Sequence, residues 1–404
     1  MAIGAEVLIF YFMIFITLFI SMFFLMTFLE LRRKPKMKLK KTPKITFVVP
    51  AYNAADYLEK SVNSVMKLDY PKNKLQVIIV DDGSTDNTLN VAKALSKRHK
   101  QIKVFHKKNE GKATALNYGV KRVKTELTAL LDADTILQHD ILKNAIPYLQ
   151  DKKTMTVMCR LVPSNKRGFL ANVQEVEYAI VGFFRKLLSS ISVLTVAPAF
   201  SIYKTKFFHK YGYFDKDNLT EDFEMALRVQ SHNYDIGCVI DSYASTVVPT
   251  KFNQLKRQRV RWNYGTFYNL YKYKRLFAPK YGDLGIFVLP SQVLIIAAVV
   301  TIFCLTLYQI VNTASRFIEM LSAGWKPQLE LSLFNISLFF SDPRVAFTII
   351  GLAISAFFFT LVRKHTNEKI KFLNFFIYSL AYVWLTISFY IIAIFRLIIK
   401  KPSW

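Results

Sequence analysis

The sequence predicts an α/β domain with a mostly parallel sheet, combined with transmembrane and interfacial helices. From Lys44 to about Val248, short β-rich runs alternate with helix-like stretches. Long apolar runs precede and follow that region, and basic residues crowd beside them. Alternating strands and helices imply helices on both faces of the sheet, and such sheets bind ligands at the carboxyl ends of their strands.

The composition indicates that part of the chain lies in a lipid bilayer. Of the 404 residues, 52% are hydrophobic, and the mean hydropathy of +0.22 is high for a soluble protein. The net charge of +27 would suit nucleic acid, anionic substrates or an anionic membrane surface. The membrane is favoured over nucleic acid, because basic runs such as residues 31–41 flank apolar spans, where they mark the cytosolic side.

The three cysteines predict no redox or metal chemistry. Cys159, Cys238 and Cys304 are far apart in the sequence and fit no metal-ligand or disulfide spacing. We expect isolated thiols in a reducing compartment.

The first apolar run covers residues 5–28 and contains one charged residue, Glu6. It is long enough to cross a bilayer at about 1.5 Å per residue. A signal peptide would need positive charge before the run and small residues at its end, and neither is present. We predict an uncleaved transmembrane helix at residues 1–30 with its N-terminus outside, followed by a basic cytosolic linker at residues 31–43.

The α/β domain itself is predicted at residues 44–250. Buried strands are expected at residues 45–49, 75–80, 103–105 and 127–131. Amphipathic helices are expected at residues 55–66 and 85–96, the second capped by Ser84 or Thr85.

A C-terminal transmembrane region is predicted at residues 283–404. Its spans lie near residues 286–311, 345–362 and 372–399, and a shorter apolar stretch at residues 331–340 would lie in the interface. Four crossings in total would place the C-terminus outside, whereas Arg396, Lys400 and Lys401 favour the inside. A fifth crossing or a re-entrant segment would resolve this conflict.

Two segments are predicted to form helices that lie in the plane of the lipid headgroups. Residues 166–188 and 252–277 combine basic and aromatic residues, and the second belongs to an interfacial basic aromatic segment at residues 251–282. An ordinary surface helix packed on the domain explains the first segment nearly as well and the second less well.

Polar residues follow the first two predicted strands. Strand 45–49 leads into Pro50, Tyr52 and Asn53, and strand 75–80 leads into Asp81-Asp82-Gly83-Ser84. Two carboxylates at a strand end can accept hydrogen bonds from a base or a ribose. Alone, the same residues could form only a turn and a helix cap.

The fourth predicted strand runs directly into Asp132-Ala133-Asp134. On an extended chain this spacing points both carboxylates to one side. Carboxylate oxygens suit Mg²⁺ or Mn²⁺ together with phosphate oxygens and water. The pattern is short enough to occur by chance in acidic loops.

Three further motifs carry candidate chemistry. Lys112 stands in the first turn of a helix opened by Gly111, which suits phosphate binding or an ordinary solvated lysine equally well. Thr220-Glu221-Asp222 could supply a general base or merely an acidic, capped helix start. The run Gln258-Arg259-Val260-Arg261-Trp262 could set Arg261 on phosphates and Trp262 against a sugar, or serve only an interfacial helix.

The order of these motifs resembles the family 2 glycosyltransferases with a GT-A fold. Within that family the chain is most similar to the membrane-integrated branch of cellulose, chitin, hyaluronan and poly-N-acetylglucosamine synthases. The resemblance covers roughly residues 44–280. It implies a GT-A catalytic domain at residues 44–250.

The resemblance also implies roles for the motif residues. Tyr52 and Asp82 would hold the nucleotide, Asp132 would help to hold the diphosphate, and Asp134 would bind Mg²⁺ or Mn²⁺. Asp222 would be the general base. The other expected site residues are Glu221 beside that base and the donor-side residues Pro50, Asn53, Asp81, Lys112, Gln258, Arg261 and Trp262.

The function implied is inverting, metal-dependent transfer from a UDP-sugar, with UDP-N-acetylglucosamine as a candidate, to a growing polysaccharide through a β-linkage. Transfer of one sugar to a lipid-linked acceptor and an inactive synthase subunit are the alternatives. The expected location is the cell membrane, as a multi-pass protein with a cytosolic catalytic domain, membrane lipids around it and an accessory synthase subunit as a candidate partner. One departure is residues 196–203, where Pro198 interrupts a stretch that usually contains glycine.

Overall fold

The computed structural model describes residues 5–31, 39–166, 168–193, 199–324, 343–366 and 370–399. Within these ranges, eight strands form one sheet. The strands are β1 (Ile45–Ala51), β2 (Leu75–Asp81), β3 (Ile102–His106), β4 (Leu127–Leu131), β5 (Ile136–Leu137), β6 (Thr154–Pro163), β7 (Phe200–Lys204) and β8 (Asp235–Thr246).

The helices fall into a domain set and an apolar set. The chain order is α1 (Ala5–Leu31), α2 (Ala55–Met66), α3 (Thr88–Arg98), α4 (Lys112–Val120), α5 (Ile141–Leu149), α6 (Phe169–Ser190), α7 (Lys206–Tyr211), α8 (Glu221–Ser231), α9 (Phe252–Lys272), α10 (Leu289–Ser322), α11 (Pro343–Thr366), α12 (Phe372–Ile377) and α13 (Val383–Ile398). Two π-helical turns, Leu284–Val288 and Tyr378–Tyr382, lead into α10 and α13.

The sheet is mixed, and its strand order is β3-β2-β1-β4-β7-β6-β8-β5. Strands β1 to β4 are mutually parallel, β7 runs antiparallel to both β4 and β6, and β6 is parallel to β8. The parallel strands β1 to β4 therefore all end at the same edge of the sheet. That edge gathers the segments that follow Ala51, Asp81, His106 and Leu131.

The predicted elements of the parallel half are confirmed with small shifts. All four predicted strands are present within two residues of their expected bounds, and α2 covers the predicted residues. Helix α3 begins at Thr88 rather than residue 85, because Asp86 accepts the backbone hydrogen bond from Thr88 and neither Ser84 nor Thr85 caps the helix. Strands β5, β6, β7 and β8 were not among the predictions, and in β8 the polar residues Asp241 and Ser242 interrupt the apolar pattern.

Alternating strand residues enter two cores, one on each face of the sheet. Phe47 and Val49 of β1 pack in the core with α2, α3 and α5. Val48, between them, packs in the core with α4, α7 and α8. Both faces of the sheet are therefore covered, as the predicted alternation requires.

Helices α6 and α9 connect the sheet to the apolar helices. Helix α6 packs on β6 and β8 on one side and on α1, α11 and α12 on the other. Helix α9 packs against α8 and α13. The two predicted interfacial segments are therefore helices, and both are shared between the domain and the apolar set.

Three helical segments among the described residues are long and apolar enough to cross a bilayer: Leu284–Ser322, Ile349–Thr366 and Phe372–Ile398. These agree with the three predicted C-terminal spans. The predicted first span forms α1, which includes the shorter apolar run Leu18–Leu29. Residues 331–340, most of the linker 31–43 and Pro198 lie outside the described residues.

The cysteines fit the expectation of isolated thiols. Cys159 and Cys238 are buried on the paired strands β6 and β8 and are free, and Cys304 is free and exposed on α10. Burial raises the pKa of both Cys159 and Cys238, so both stay protonated and unreactive at neutral pH.

Candidate active site

The two carboxylates after β2 are engaged by residues at the end of β3. Asp81, fully buried, lies opposite His106 in the sheet, and its Oδ2 is 2.6 Å from His106 Nδ1. Its other oxygen, Oδ1, is buried without a hydrogen-bond partner among the described residues. The parallel pairing of β2 with β3 creates this contact, so the spacing of the motif alone does not reveal it.

Asp82 organises the loop between β3 and α4. Its Oδ1 accepts a hydrogen bond from Lys107 Nζ at 2.7 Å, and its Oδ2 accepts one from the backbone N–H of Gly111 at 2.9 Å. Both side chains of the Asp82–Lys107 ion pair are largely buried. Asp82 therefore holds in place the loop that leads to Lys112.

The residues after β1 meet the loop after β2. Asn53, at φ 48°, accepts a hydrogen bond from Thr85 N at 2.9 Å, and its own N–H donates to Ser84 Oγ at 3.0 Å. The side chain of Tyr52 is half exposed at this edge. Pro50 is buried within β1 and is paired with Val80 of β2, so it packs inside the sheet next to this edge.

Lys112 connects two of the predicted motifs. Its Nζ lies 2.7 Å from Asp132 Oδ1 and 3.0 Å from Glu221 Oε1. Burial alone would lower the pKa of Lys112, but the negative charges of Asp132 and Glu221 outweigh burial and raise it. The lysine is therefore charged at any physiological pH, and although its side chain is 41% exposed, it is held between two carboxylates.

Asp134 faces the same space as Asp132 but forms no ion pair among the described residues, and Lys112 acts on it only at longer range. Its Oδ1 accepts hydrogen bonds from Thr135 Oγ1 at 3.2 Å and Thr246 Oγ1 at 3.4 Å. Burial and the negative charge of Asp132 raise the pKa of Asp134. A divalent cation at Asp134 would stabilise the ionised carboxylate, which burial and the charge of Asp132 otherwise disfavour.

The donor set fits a cation that also binds a ligand. No group of three or more His, Cys, Asp or Glu side chains with metal-binding geometry occurs in the described part of the chain. Mg²⁺ commonly takes one or two protein carboxylates and completes its shell with phosphate oxygens and water. Asp134, with Asp132 close by, provides that kind of partial site.

Asp222 lies in the first turn of α8, beside Glu221. Burial raises the pKa of Asp222, and the negative charge of Glu221 adds to the effect. Burial would also raise the pKa of Glu221, but the positive charge of Lys112 outweighs it and lowers that pKa. The two adjacent carboxyls thus have opposite tendencies, and Asp222 is the more basic of the two.

One cavity of about 410 Å³ brings most of the predicted site residues together. This volume is within the range of small-molecule sites. The predicted residues that line it are Lys112, Asp132, Asp134, Glu221, Asp222, Gln258, Arg261 and Trp262. Pro50, Tyr52, Asn53, Asp81 and Asp82 do not line it and form the neighbouring edge described above.

Sequence comparison identifies the domain that contains this edge and part of this cavity. Residues 46–212 match the family described as glycosyl transferase family 2. The chain contains a glycosyltransferase domain. The match ends before Thr220 and Gln258, so the two later motifs lie outside it.

Curated relatives agree with this family. The chain is 31% identical over 238 residues to a poly-β-1,6-N-acetyl-D-glucosamine synthase of Staphylococcus aureus strain MSSA476, covering 58% of this chain and 57% of the relative. It is also 31% identical over 224 residues to the enzyme of that name from Staphylococcus epidermidis, covering 55% and 54%. The chain thus spans a little over half the length of these relatives.

A solved structure extends the likeness to nearly the whole chain. The mannosyltransferase PcManGT from Pyrobaculum calidifontis, solved with GDP-Man and Mn²⁺, superposes with a TM-score of 0.64 at 18% identity. The match covers 97% of this chain and 98% of that one. The predicted α/β GT-A fold is therefore confirmed.

Helix α9 holds the start of α8 against the glycosyltransferase domain. Asn269, fully buried, donates from Nδ2 to Thr220 Oγ1 at 2.9 Å and accepts from Asn218 Nδ2 at 2.7 Å. At Gly265, an added Cβ would lie 2.1 Å from Thr220 Oγ1, so only glycine allows this close approach. The hydroxyl of Thr220 therefore bonds to α9, and it does not cap α8 as one reading of the sequence predicts.

The first arginine of the Gln258–Trp262 motif, Arg259, has a structural role. Arg259 is buried, and its Nη2 lies 2.6 Å from Glu177 Oε2 on α6 and 3.4 Å from Tyr382 Oη. Its guanidinium also lies 4.2 Å from the centre of the Trp262 ring. Arg259 thus ties α9 to α6 and to the apolar helices, while Arg261 faces the cavity.

Several cavity residues have no counterpart among the predictions. Helix α6 contributes Glu177, Tyr178, Val181 and Arg185, and α13 contributes Tyr390. The amphipathic pattern of residues 166–188 indicated a helix, but it did not indicate which face would meet the cavity. Lys107 was also missed, although its position directly after a predicted strand was an available signal.

Proposed function

We propose that this protein is an inverting, metal-dependent glycosyltransferase that transfers a sugar from a UDP-sugar to a growing polysaccharide through a β-linkage. The observation that carries the proposal is the single cavity shared by Asp132, Asp134, Lys112 and Asp222. Carboxylates for a cation, a phosphate-binding lysine and a basic carboxyl are the groups that a sugar transfer from a diphosphate requires.

The donor would occupy a cleft formed by the cavity and the neighbouring edge at the ends of β1 and β2. Tyr52, Asn53 and Asp82 at the strand edge would receive the nucleoside, and the exposed ring of Tyr52 offers a surface for a base. Arg261 and Lys112 would face the diphosphate in the cavity. UDP-N-acetylglucosamine is the favoured donor, because the relatives named above are poly-N-acetylglucosamine synthases.

Asp222 would act as the general base. Burial and Glu221 raise the pKa of Asp222, which makes its carboxylate a better proton acceptor than that of an ordinary aspartate. The acceptor hydroxyl would lose its proton to Asp222 as it attacks the anomeric carbon, and the diphosphate would leave from the opposite side. A single displacement of this kind inverts the anomeric centre.

Asp134, assisted by Asp132, would hold Mg²⁺ or Mn²⁺. When bound, this cation would stabilise the negative charge that develops on the departing diphosphate. Lys112 would supply further positive charge from its position between Asp132 and Glu221. Glu221 keeps Lys112 in place and raises the basicity of its neighbour Asp222.

A second candidate is transfer of a sugar to a lipid-linked acceptor. The cavity wall includes Tyr390, which belongs to the apolar helical segment Phe372–Ile398. A wall formed partly by a candidate membrane span would give an acceptor in the bilayer a route to Asp222. The same feature also suits a polymer that leaves the site toward the membrane.

The test is a donor screen with the purified full-length protein in detergent. We expect release of UDP from UDP-N-acetylglucosamine in the presence of Mn²⁺ and its loss when EDTA removes the metal. Mass analysis of the product then separates the two candidates, since a ladder of lengths indicates a polymer and a single lipid-soluble product indicates lipid transfer. Binding of UDP with no turnover on any acceptor would contradict both and favour an inactive synthase subunit.

A further inference from the structure

Arg185 on α6 lines the cavity beside Asp222 but is used by none of the roles proposed above. It is half-buried, and the negative charge of Asp222 acts on its guanidinium. Among the residues that the structure describes, no carboxylate lies within ion-pair distance of Arg185 and none of their polar atoms forms a hydrogen bond with it. Among the described residues, Arg185 thus has no direct ion-pair partner in the cavity, and Asp222 and Glu177 act on it only at longer range.

Four other cations near the site have ion-pair partners. Lys107 pairs with Asp82, Lys112 with Asp132 and Glu221, Arg228 with Glu224, and Arg259 with Glu177. Burial lowers the pKa of Arg185, which means that the charged form is desolvated without full compensation. An anion in the cavity would supply the missing compensation.

The surroundings of Arg185 indicate where such an anion would come from. Helix α6 packs against the apolar helices α1 and α11 on its other side. Val181, one turn before Arg185, and Tyr390 of the last apolar segment line the same cavity. The guanidinium thus stands in a wall with apolar and aromatic side chains at the junction of the domain and the apolar helices.

We propose that Arg185 forms a subsite for a phosphate group of a membrane-anchored acceptor, held beside Asp222. This inference rests on the second candidate of the proposed function, transfer to a lipid-linked acceptor, and it specifies that acceptor as a lipid phosphate or a saccharide carried on one. A guanidinium binds phosphate through two parallel hydrogen bonds, which suits it to this group. A neutral sugar chain would leave the charge of Arg185 without a partner.

The donor diphosphate is the other source of phosphate in this cavity. In the proposed function the diphosphate lies against Lys112, Arg261 and the cation at Asp134. Arg185 lies on a different element, α6, which also forms the junction with the apolar helices. The two sources predict different losses when Arg185 is replaced, and an experiment can separate them.

The experiment measures binding, so it does not depend on turnover. Purified full-length protein in detergent micelles is titrated with a polyprenyl phosphate and, separately, with the matching uncharged polyprenol, and the fluorescence of Trp262 in the cavity wall reports occupancy. We expect the phosphate to bind more tightly than the alcohol. Arg185→Gln should weaken phosphate binding roughly ten- to a hundredfold, the range expected for a hydrogen-bonded charge, and leave polyprenol binding and UDP affinity unchanged.

Arg257→Gln is the matched control, because Arg257 is exposed on α9 and does not line the cavity. It should leave all three affinities unchanged, and Arg185→Lys should recover part of the phosphate affinity. Equal binding of phosphate and alcohol by the wild type would overturn the subsite. Loss of UDP affinity in Arg185→Gln would assign Arg185 to the donor instead. Failure of the wild type to bind UDP would count against the proposed function, while the lipid titration would still decide the subsite.

Discussion

The two parts of the cleft differ in how many of their charged side chains are paired. On the β2 side, defined by Asp81, Asp82, His106 and Lys107, each carboxylate has a partner from the end of β3. On the cavity side, Lys112 pairs with Asp132 and Glu221. Four further charged residues face the same space without an ion pair among the described residues: Asp134, Asp222, Arg185 and Arg261.

This difference indicates that the charged residues of the β2 side are already paired in the absence of a ligand. On the cavity side, a ligand would supply the missing partners. A carboxylate already bound to a buried lysine can orient a loop, but it has less capacity left for a ligand. Unpaired buried charges are costly to keep, and they are commonly found where a ligand or a cation supplies the counter-charge. The following predictions test this division.

The largest effect is expected from Asp222→Asn. Loss of a general base should lower kcat by roughly 10²- to 10⁴-fold, while UDP affinity stays close to that of the wild type. Steady-state UDP release and direct UDP binding measure the two quantities. Asp217→Asn, an exposed change in the same loop, should have no effect, and undiminished turnover in Asp222→Asn would exclude this residue as the base.

The next effect is expected on stability from Lys107→Met. Removing one partner of a buried ion pair leaves Asp82 uncompensated and should cost about 3–5 kcal/mol of the free energy of unfolding. The midpoint temperature of thermal unfolding and the affinity for UDP should both fall, while kcat at saturating donor changes little. Lys108→Met at the exposed neighbouring position is the control. A fall in kcat without loss of stability would show that the β2 side takes part in the transfer step.

A smaller effect is expected from Asn269→Ala on α9. The change leaves Asn218 and Thr220 without their buried partner, and each unsatisfied group costs about 1–3 kcal/mol. Because these residues position the segment that carries Asp222, we expect kcat to fall more than UDP affinity. Asn253→Ala, at an exposed position on the same helix, should behave as the wild type. Equal losses in kcat and UDP affinity would indicate general destabilisation.

The smallest effect concerns pH. Asp222 must be ionised to accept a proton, and burial together with Glu221 raises its pKa, so activity should fall on acidification at a pH above that expected for an ordinary aspartate. Glu221→Gln removes one negative neighbour and leaves the positive charges of Lys112 and Arg261, so the acid limb should move to lower pH. The pH profile of kcat measures this shift. An unmoved limb would mean that another group controls it.

The sequence was informative where local pattern and burial coincide. The strands β1 to β4 are short apolar runs followed by polar residues, and β4 runs directly into Asp132 and Asp134. Parallel pairing then brings these strand ends to one edge, as the βα alternation predicted. Strands β6 and β8 were not predicted because polar residues such as Thr156, Arg160 and Ser242 interrupt their apolar pattern, and only tertiary packing buries these side chains.

The α/β class, the apolar helices and the order of the motifs could be predicted from the sequence, because these follow from periodicity and composition within short windows. The partners of the charged residues depend on the three-dimensional fold: Lys112 lies between Asp132 and Glu221, Arg259 is buried against Glu177, and Arg185 forms no ion pair among the described residues. Such pairings join residues 20 to more than 100 positions apart, and the charge balance of a side chain depends on distances that no local pattern contains.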